Sequence, residues 1–173
     1  LAAFSFVLSF NQTTYQFFTS YCQASSSASV VAAAGVVAAA CMAGQAIGKV
    51  ALGSLSDKSP RAGLLIGVLC GMVGLLLMMA AGSSVAIMVA GSFLYGGLYS
   101  CNAVHAPLFI RAVFGSRDYS KINSYRTVFA TMSFAFGAEL WGMIADMPNG
   151  YTVMFALSIA LAALCGALGL FVC

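Results

Sequence analysis

Gln45 and Lys49 stand four residues apart in the stretch QAIGKVALGSLSDKSPR, and the same spacing runs on to Gly53 and Asp57. Residues four apart share a face of a helix, so an amide, an ammonium and a carboxylate would line one stripe. A second set lies in NQTTYQ, where Asn11 and Tyr15, and Gln12 and Gln16, repeat that spacing. Tyr95, Tyr99 and Asn102 form a third, with His105 one turn further on, and Glu139 is the only acid well inside an apolar run. Amides, phenols and isolated charges suit the reversible holding of a small polar or anionic solute. They are poor equipment for covalent chemistry: there are no paired carboxylates within one apolar run, no Ser/His signature, no metal-ligand spacing and a single histidine. Neither an enzyme nor a cofactor or metal is expected.

The elements that would position these groups follow from composition. Of 173 residues, 62% are hydrophobic and 6% charged, with a mean hydropathy of +1.00, whereas soluble domains carry about 25% charged residues. Apolar runs of about 20 residues, the length of a bilayer-spanning helix, follow one another almost without interruption. They lack the alternation a membrane barrel needs. The expected fold class is an all-α membrane protein, a single domain of six transmembrane helices at about 2–21, 28–55, 62–82, 84–111, 123–145 and 151–172. The second and fourth are long enough to tilt or extend past the bilayer.

Charge sets the orientation. Lys58 and Arg61 fall between the second and third spans, Arg117 and Lys121 between the fourth and fifth, with Arg111 and Arg126 at flanking helix ends. The connectors YCQASSS, GSS and DMPNG hold no Lys or Arg. Basic loops mark the cytoplasmic side, which places both ends of the segment in the cytoplasm. The net charge of +3 therefore reflects topology, and no basic patch interleaved with aromatics suggests nucleic acid. GSFLYGG lies within a span and lacks the Lys-Ser/Thr pair of a phosphate loop. Five of the six cysteines, Cys22, Cys41, Cys70, Cys101, Cys165 and Cys173, lie in or at the ends of apolar spans and read as small packing residues. No secretory signal precedes the first run. The chain begins at Leu1 and stops at Cys173 inside an apolar run, so both ends read as cut.

GSLSDKSPR, residues 53–61, resembles the loop signature of the major facilitator superfamily, in which a glycine is followed four residues later by an aspartate, then a basic residue, and a second basic residue further on. Gly53, Asp57, Lys58 and Arg61 match it; Pro60 stands where glycine is usual. FGSRDYSKINSYRTVFATMSFAFGAELWGMIADMPNGYTVMF, residues 114–155, is similar to the end of the C-terminal half in the oxalate/formate antiporter and monocarboxylate transporter branches, through Gly142, Asp146, Gly150 and Tyr151. Glu139 stands near where those branches place a proline. Lys49, four residues ahead of Gly53, occupies a position where they often carry a substrate-facing base.

The resemblance implies one half of a twelve-helix secondary transporter in a plasma or inner membrane, an absent N-terminal six-helix half as partner, lipid around it, and a small-molecule substrate, here an organic anion. Lys49 would meet the carboxylate, and Gln45, Asn11, Tyr15, Tyr99 and Asn102 would orient it by symport or antiport. Gly53, Asp57, Lys58 and Arg61 would form a gate latch, Gly53 admitting a close neighbour and Asp57 accepting from a helix N-terminus. Bland readings stand beside these. Lys49 could snorkel to the interface, and His105 beside the kinking Pro107 could be a packed residue rather than a proton relay. Glu139 could couple protons or pair structurally. The small-residue pairs Gly44/Gly48 and Gly67/Gly71 need only helix packing. The alternatives are a non-transporting six-helix module, a scaffold or assembly subunit, and a transporter of an uncharged or cationic small solute.

Overall fold

The computed structural model describes residues 2–115 and 118–172, and Arg117 and Cys173 lie outside the described residues. Among the described residues, eight α-helices run in chain order: α1 Ala2–Gln12, α2 Phe18–Gln23, α3 Ala28–Ala32, α4 Ala34–Lys58, α5 Pro60–Ala80, α6 Val85–Phe114, α7 Tyr119–Ala145 and α8 Gly150–Val172. Five of them, α4 to α8, are long and apolar enough to cross a membrane. The sixth crossing expected from composition is the run α1 to α2, interrupted by a 3-10 helix over Thr13–Phe17.

That interruption has a local cause. Phe10's carbonyl accepts from Thr13 Oγ1 at 2.6 Å and from Trp141 Nε1 of α7 at 3.2 Å. A hydroxyl bonding back to its own helix competes with the regular ladder, and the next turn tightens to 3-10. Tyr95 Oη donates to the Asn11 carbonyl at 2.6 Å and Ser133 Oγ to that of Phe6 at 2.6 Å. Side-chain amides can satisfy backbone groups freed at such a break. Hydroxyls and an indole serve most of it instead.

Capping is equally readable. Ser59 is extended and its Oγ accepts from the Ala62 N–H at 3.4 Å, with Pro60 opening α5, the position proline favours. Gly82 and Gly115 take positive φ in the connectors before α6 and α7, where a side chain would be strained.

Direction follows from the contacts. Along α5 and α6, Gly63 meets His105, Gly67 meets Cys101, Gly71 meets Leu98 and Gly74 meets Gly91, so the two are antiparallel. On α4, Gly44 meets Phe93, Gly48 meets Gly97 and Ser100, and Ser56 meets His105, so α4 and α6 run parallel. A Cβ on Gly44 would lie 2.0 Å from the Phe93 carbonyl oxygen, and one on Gly96 2.5 Å from that of Cys41. Helices in lipid associate through such close packing rather than through exclusion of water. Gly53 differs from expectation: a Cβ there meets nothing within 4 Å, because no neighbouring helix crosses α4 at that face of the bundle. The most apolar stretches of α4 and α7 are each only 22% buried. These two helices leave the largest open faces.

Candidate functional site

One cavity gathers the polar residues. It has a volume of about 160 Å³ and is lined by Gln12 of α1, Gln45 of α4, Tyr99, Asn102 and Ala103 of α6, and Arg126 of α7. Asn102 is its hub: Nδ2 donates to Ser9 Oγ and to Gln12 Oε1, both at 3.0 Å, and Oδ1 accepts from Arg126 Nη2. Gln12 Nε2 in turn donates to the Tyr99 carbonyl at 2.5 Å. Arg126 is half-buried, with Nε donating to Ser5 Oγ at 3.3 Å and Nη2 also directed at the Asn102 carbonyl at 3.5 Å. Pro107 has no N–H to give the carbonyl of Ala103, four residues back, and Ala103 is itself part of the wall. Tyr15 packs edge-on against Tyr99, ring centroids 5.1 Å apart.

The expected site residues therefore divide. Gln45, Tyr99 and Asn102 line the cavity and Tyr15 supports it through Tyr99. Asn11 does not reach it. One residue along a helix is a turn of about 100°, and that rotation points Asn11 to α8, where Oδ1 accepts from Ser158 Oγ. Ser158 Oγ also accepts from Thr14 Oγ1 at 3.3 Å, and the whole cluster, Tyr95 included, is buried. Gln12, its neighbour, takes the cavity position. Lys49 is exposed one turn beyond Gln45 and is not part of the lining.

The other charged candidates lie apart. His105 is fully buried between α4, α5 and α6, with Nε2 3.1 Å from Ser56 Oγ and its ring 6.0 Å from that of Phe109. Glu139 is exposed on α7. Asp57 is exposed at the end of α4, and the N-terminus of α5 that follows it is capped by Ser59. Lys58 and Arg61 are exposed beside it.

Arg126 is the residue that reading the sequence missed, having been placed at a helix end as a topological charge. The available signal was the polar run ahead of it: α7 starts at Tyr119 rather than 123, which sets Arg126 about 10 Å along the helix instead of in its first turn. A larger hollow of about 320 Å³ opens at the opposite end, lined by Tyr21, Ser25, Gly82, Asn149, Thr152 and their neighbours. It holds no charged residue, so we regard the polar cavity, though smaller, as the site.

A polar cavity walled by four helices of a membrane bundle can hold a solute and let it go, and its groups supply hydrogen bonds and one guanidinium charge. These features fit a membrane carrier. The family model of the Major Facilitator Superfamily matches residues 1–173, and the chain belongs to that superfamily. It is an integral, multi-pass membrane protein, an all-α bundle of the kind that forms half of a major facilitator fold, and its relatives are secondary transporters of small solutes rather than enzymes. No curated protein and no solved structure gives a significant match.

Proposed function

We propose that the chain forms the C-terminal half of a twelve-helix transporter that moves a small organic anion, such as a mono- or dicarboxylate, by alternating access. The carrying observation is the convergence of Gln12, Gln45, Tyr99, Asn102 and Arg126 from four helices on one cavity. Its volume of about 160 Å³ is close to that of an engineered cavity of about 150 Å³ that accepts benzene, which suits a solute of a few heavy atoms. An anion is favoured because the lining includes a cation and no carboxylate. In superfamilies built this way, binding sites lie between the halves near the midplane, so the absent half would complete the wall.

The solute would bridge the halves through the amides and the Tyr99 ring, with Lys49 approaching from the rim. Rocking of one half against the other would then expose the cavity to each side in turn. The segment Gly53, Asp57, Lys58 and Arg61 spans the end of α4 and the first turn of α5, where it could latch one of those states, and both ends of the chain would be cytoplasmic in a plasma or inner membrane. Coupling would use an ion or solute gradient. Glu139 and His105 would be the titratable candidates, although neither lines the cavity.

The test is uptake of labelled acetate, lactate, oxalate and succinate into proteoliposomes carrying the complete transporter, with and without imposed proton, sodium and counter-anion gradients. Saturable, gradient-driven uptake of at least one, weakened by Tyr99→Ala and Gln45→Ala, is the expected result. No driven uptake of any anion, with uptake of an uncharged or cationic solute instead, would overturn the substrate class.

A further inference from the structure

We infer that Arg126 receives the anionic group of the solute and that Asn102 occupies that position on the guanidinium until the solute arrives. The inference rests on the organic-anion reading and names the residue that enforces it.

Arg126 is the charged residue of the cavity lining, and every acceptor it meets among the described residues is neutral: Ser5 Oγ, Asn102 Oδ1 and the Asn102 carbonyl. The four acids of the chain, Asp57, Asp118, Glu139 and Asp146, are all exposed, and none pairs with it. Withdrawing a guanidinium from water without an opposing charge is costly, and an entering carboxylate relieves that cost. Donors remain to receive one. Guanidinium carries five N–H groups in a planar fork, and the recorded bonds engage Nε and Nη2. Nη1 has no protein acceptor among the described residues.

Asn102 has the shape of a carboxylate and none of its charge. Its Oδ1 meets Nη2 as one oxygen of a solute carboxylate would, while its Nδ2 is anchored to Ser9 and Gln12 of α1. The Arg126–Asn102 bond is ionised on the donor side alone, whereas a solute carboxylate adds the attraction of opposite charges and a second oxygen for the guanidinium fork. The solute therefore displaces Asn102 Oδ1, and in doing so loosens the link between α6 and α7 that the amide maintains in the unloaded site. Lys49, exposed and outside the lining, does not supply this contact.

The experiment measures KM and Vmax for the carboxylate panel and for the amides lactamide and oxamide in proteoliposomes of the complete transporter. Wild type is compared with Arg126→Gln, Arg126→Lys, Asn102→Asp and Asn102→Ser. Losing a charge-assisted bond predicts a roughly ten- to hundredfold rise in anion KM for Arg126→Gln. Arg126→Lys should lie between, since an ammonium keeps the charge without the fork. Asn102→Asp supplies a built-in carboxylate and should raise anion KM as much as loss of the arginine does, while Asn102→Ser removes the competing acceptor from the guanidinium and should lower anion KM.

Two results overturn the inference while leaving anion transport standing. One is an unchanged anion KM in Arg126→Gln. The other is a fall in Vmax alone, equal for acids and amides, which would mark Arg126 as a structural tie. Wild type that carries only the amides would instead refute the anion reading itself, and this inference with it.

Discussion

Gly44→Ala is the sharpest test of how α4 is held against α6. The added methyl would stand 2.0 Å from the Phe93 carbonyl oxygen, 2.9 Å from its carbon and 3.1 Å from its Cα, against the roughly 3.5–4.0 Å at which nonbonded atoms attract. All three neighbours are backbone, so no side chain can swing aside and the helices must separate. Inserting a methyl into a packed interface costs about 1–3 kcal/mol, and backbone neighbours place this site at the upper end. Gly53→Ala supplies the control on the same helix. A Cβ there meets nothing within 4 Å, so only the intrinsic preference acts, a gain of up to about 1 kcal/mol for alanine over glycine. The same preference acts at Gly44 and cancels in the comparison, so the two variants should differ by the packing cost, roughly 1–3 kcal/mol, with Gly44→Ala below wild type and Gly53→Ala at or above it. Unfolding in mixed micelles, titrated with a denaturing detergent and followed by helical circular dichroism, reads the difference. The same contrast should separate neighbours on α6: a Cβ on Gly96 lies 2.5 Å from Cys41 O and Gln45 N, whereas on Gly97 the nearest atom is 3.4 Å away. Moving α4 outward also carries Gln45 away from Tyr99 and Asn102, so Gly44→Ala should raise solute KM. Equal midpoints for Gly44→Ala and Gly53→Ala would refute the close α4–α6 crossing.

Ser158→Ala removes the donor to Asn11 Oδ1, and because Asn11 Nδ2 already has no partner the buried amide is left wholly unsatisfied, a loss of about 1–3 kcal/mol. The double variant Asn11→Leu/Ser158→Ala should recover most of it in the same titration. Ser56→Ala deprives the buried His105 Nε2 of its 3.1 Å partner and should cost a similar amount of stability, about 1–3 kcal/mol, while solute KM stays constant because the pair lies outside the cavity. Single cysteines in a background free of native cysteine test orientation. Ser83→Cys should react with an impermeant maleimide from outside intact cells and Ser59→Cys only after permeabilisation, and labelling of both from one side would refute the topology.

What was legible in the sequence is what depends on composition along a single helix. The spans were readable because lipid demands about 20 apolar residues wherever a helix crosses, and the packing role of Gly44, Gly48, Gly67 and Gly71 because small residues are what allow helices in lipid to approach. What was not legible depends on rotation and on partners. Asn11 and Gln12 are chemically near-equivalent neighbours, and only the positions of α8 and α6 decide that one is tied to Ser158 while the other opens into the cavity. Gly53 resembles Gly44 in every local respect, yet α6 passes close to one of them and not the other. Ser59 caps α5 because the chain is extended at residue 59, a fact about φ and ψ rather than about residue type.

Arg126 joins these lessons to function. Positive charges near a helix end ordinarily reach water, and treating this one as an anchor followed from starting the helix at 123. The added turn of α7, from Tyr119, moves the guanidinium inward to where Ser5 and Asn102 meet it. The fold pays for that placement with hydrogen bonds to neutral acceptors, which compensate a buried cation only in part. Arg111 shows the alternative available to the same residue type: it stays exposed in the last turn of α6, over the Tyr119 ring at 5.7 Å. A charge needed only for orientation is satisfied in Arg111's way. One set inside a polar cavity, with donors left over, is what the proposed anionic solute would require.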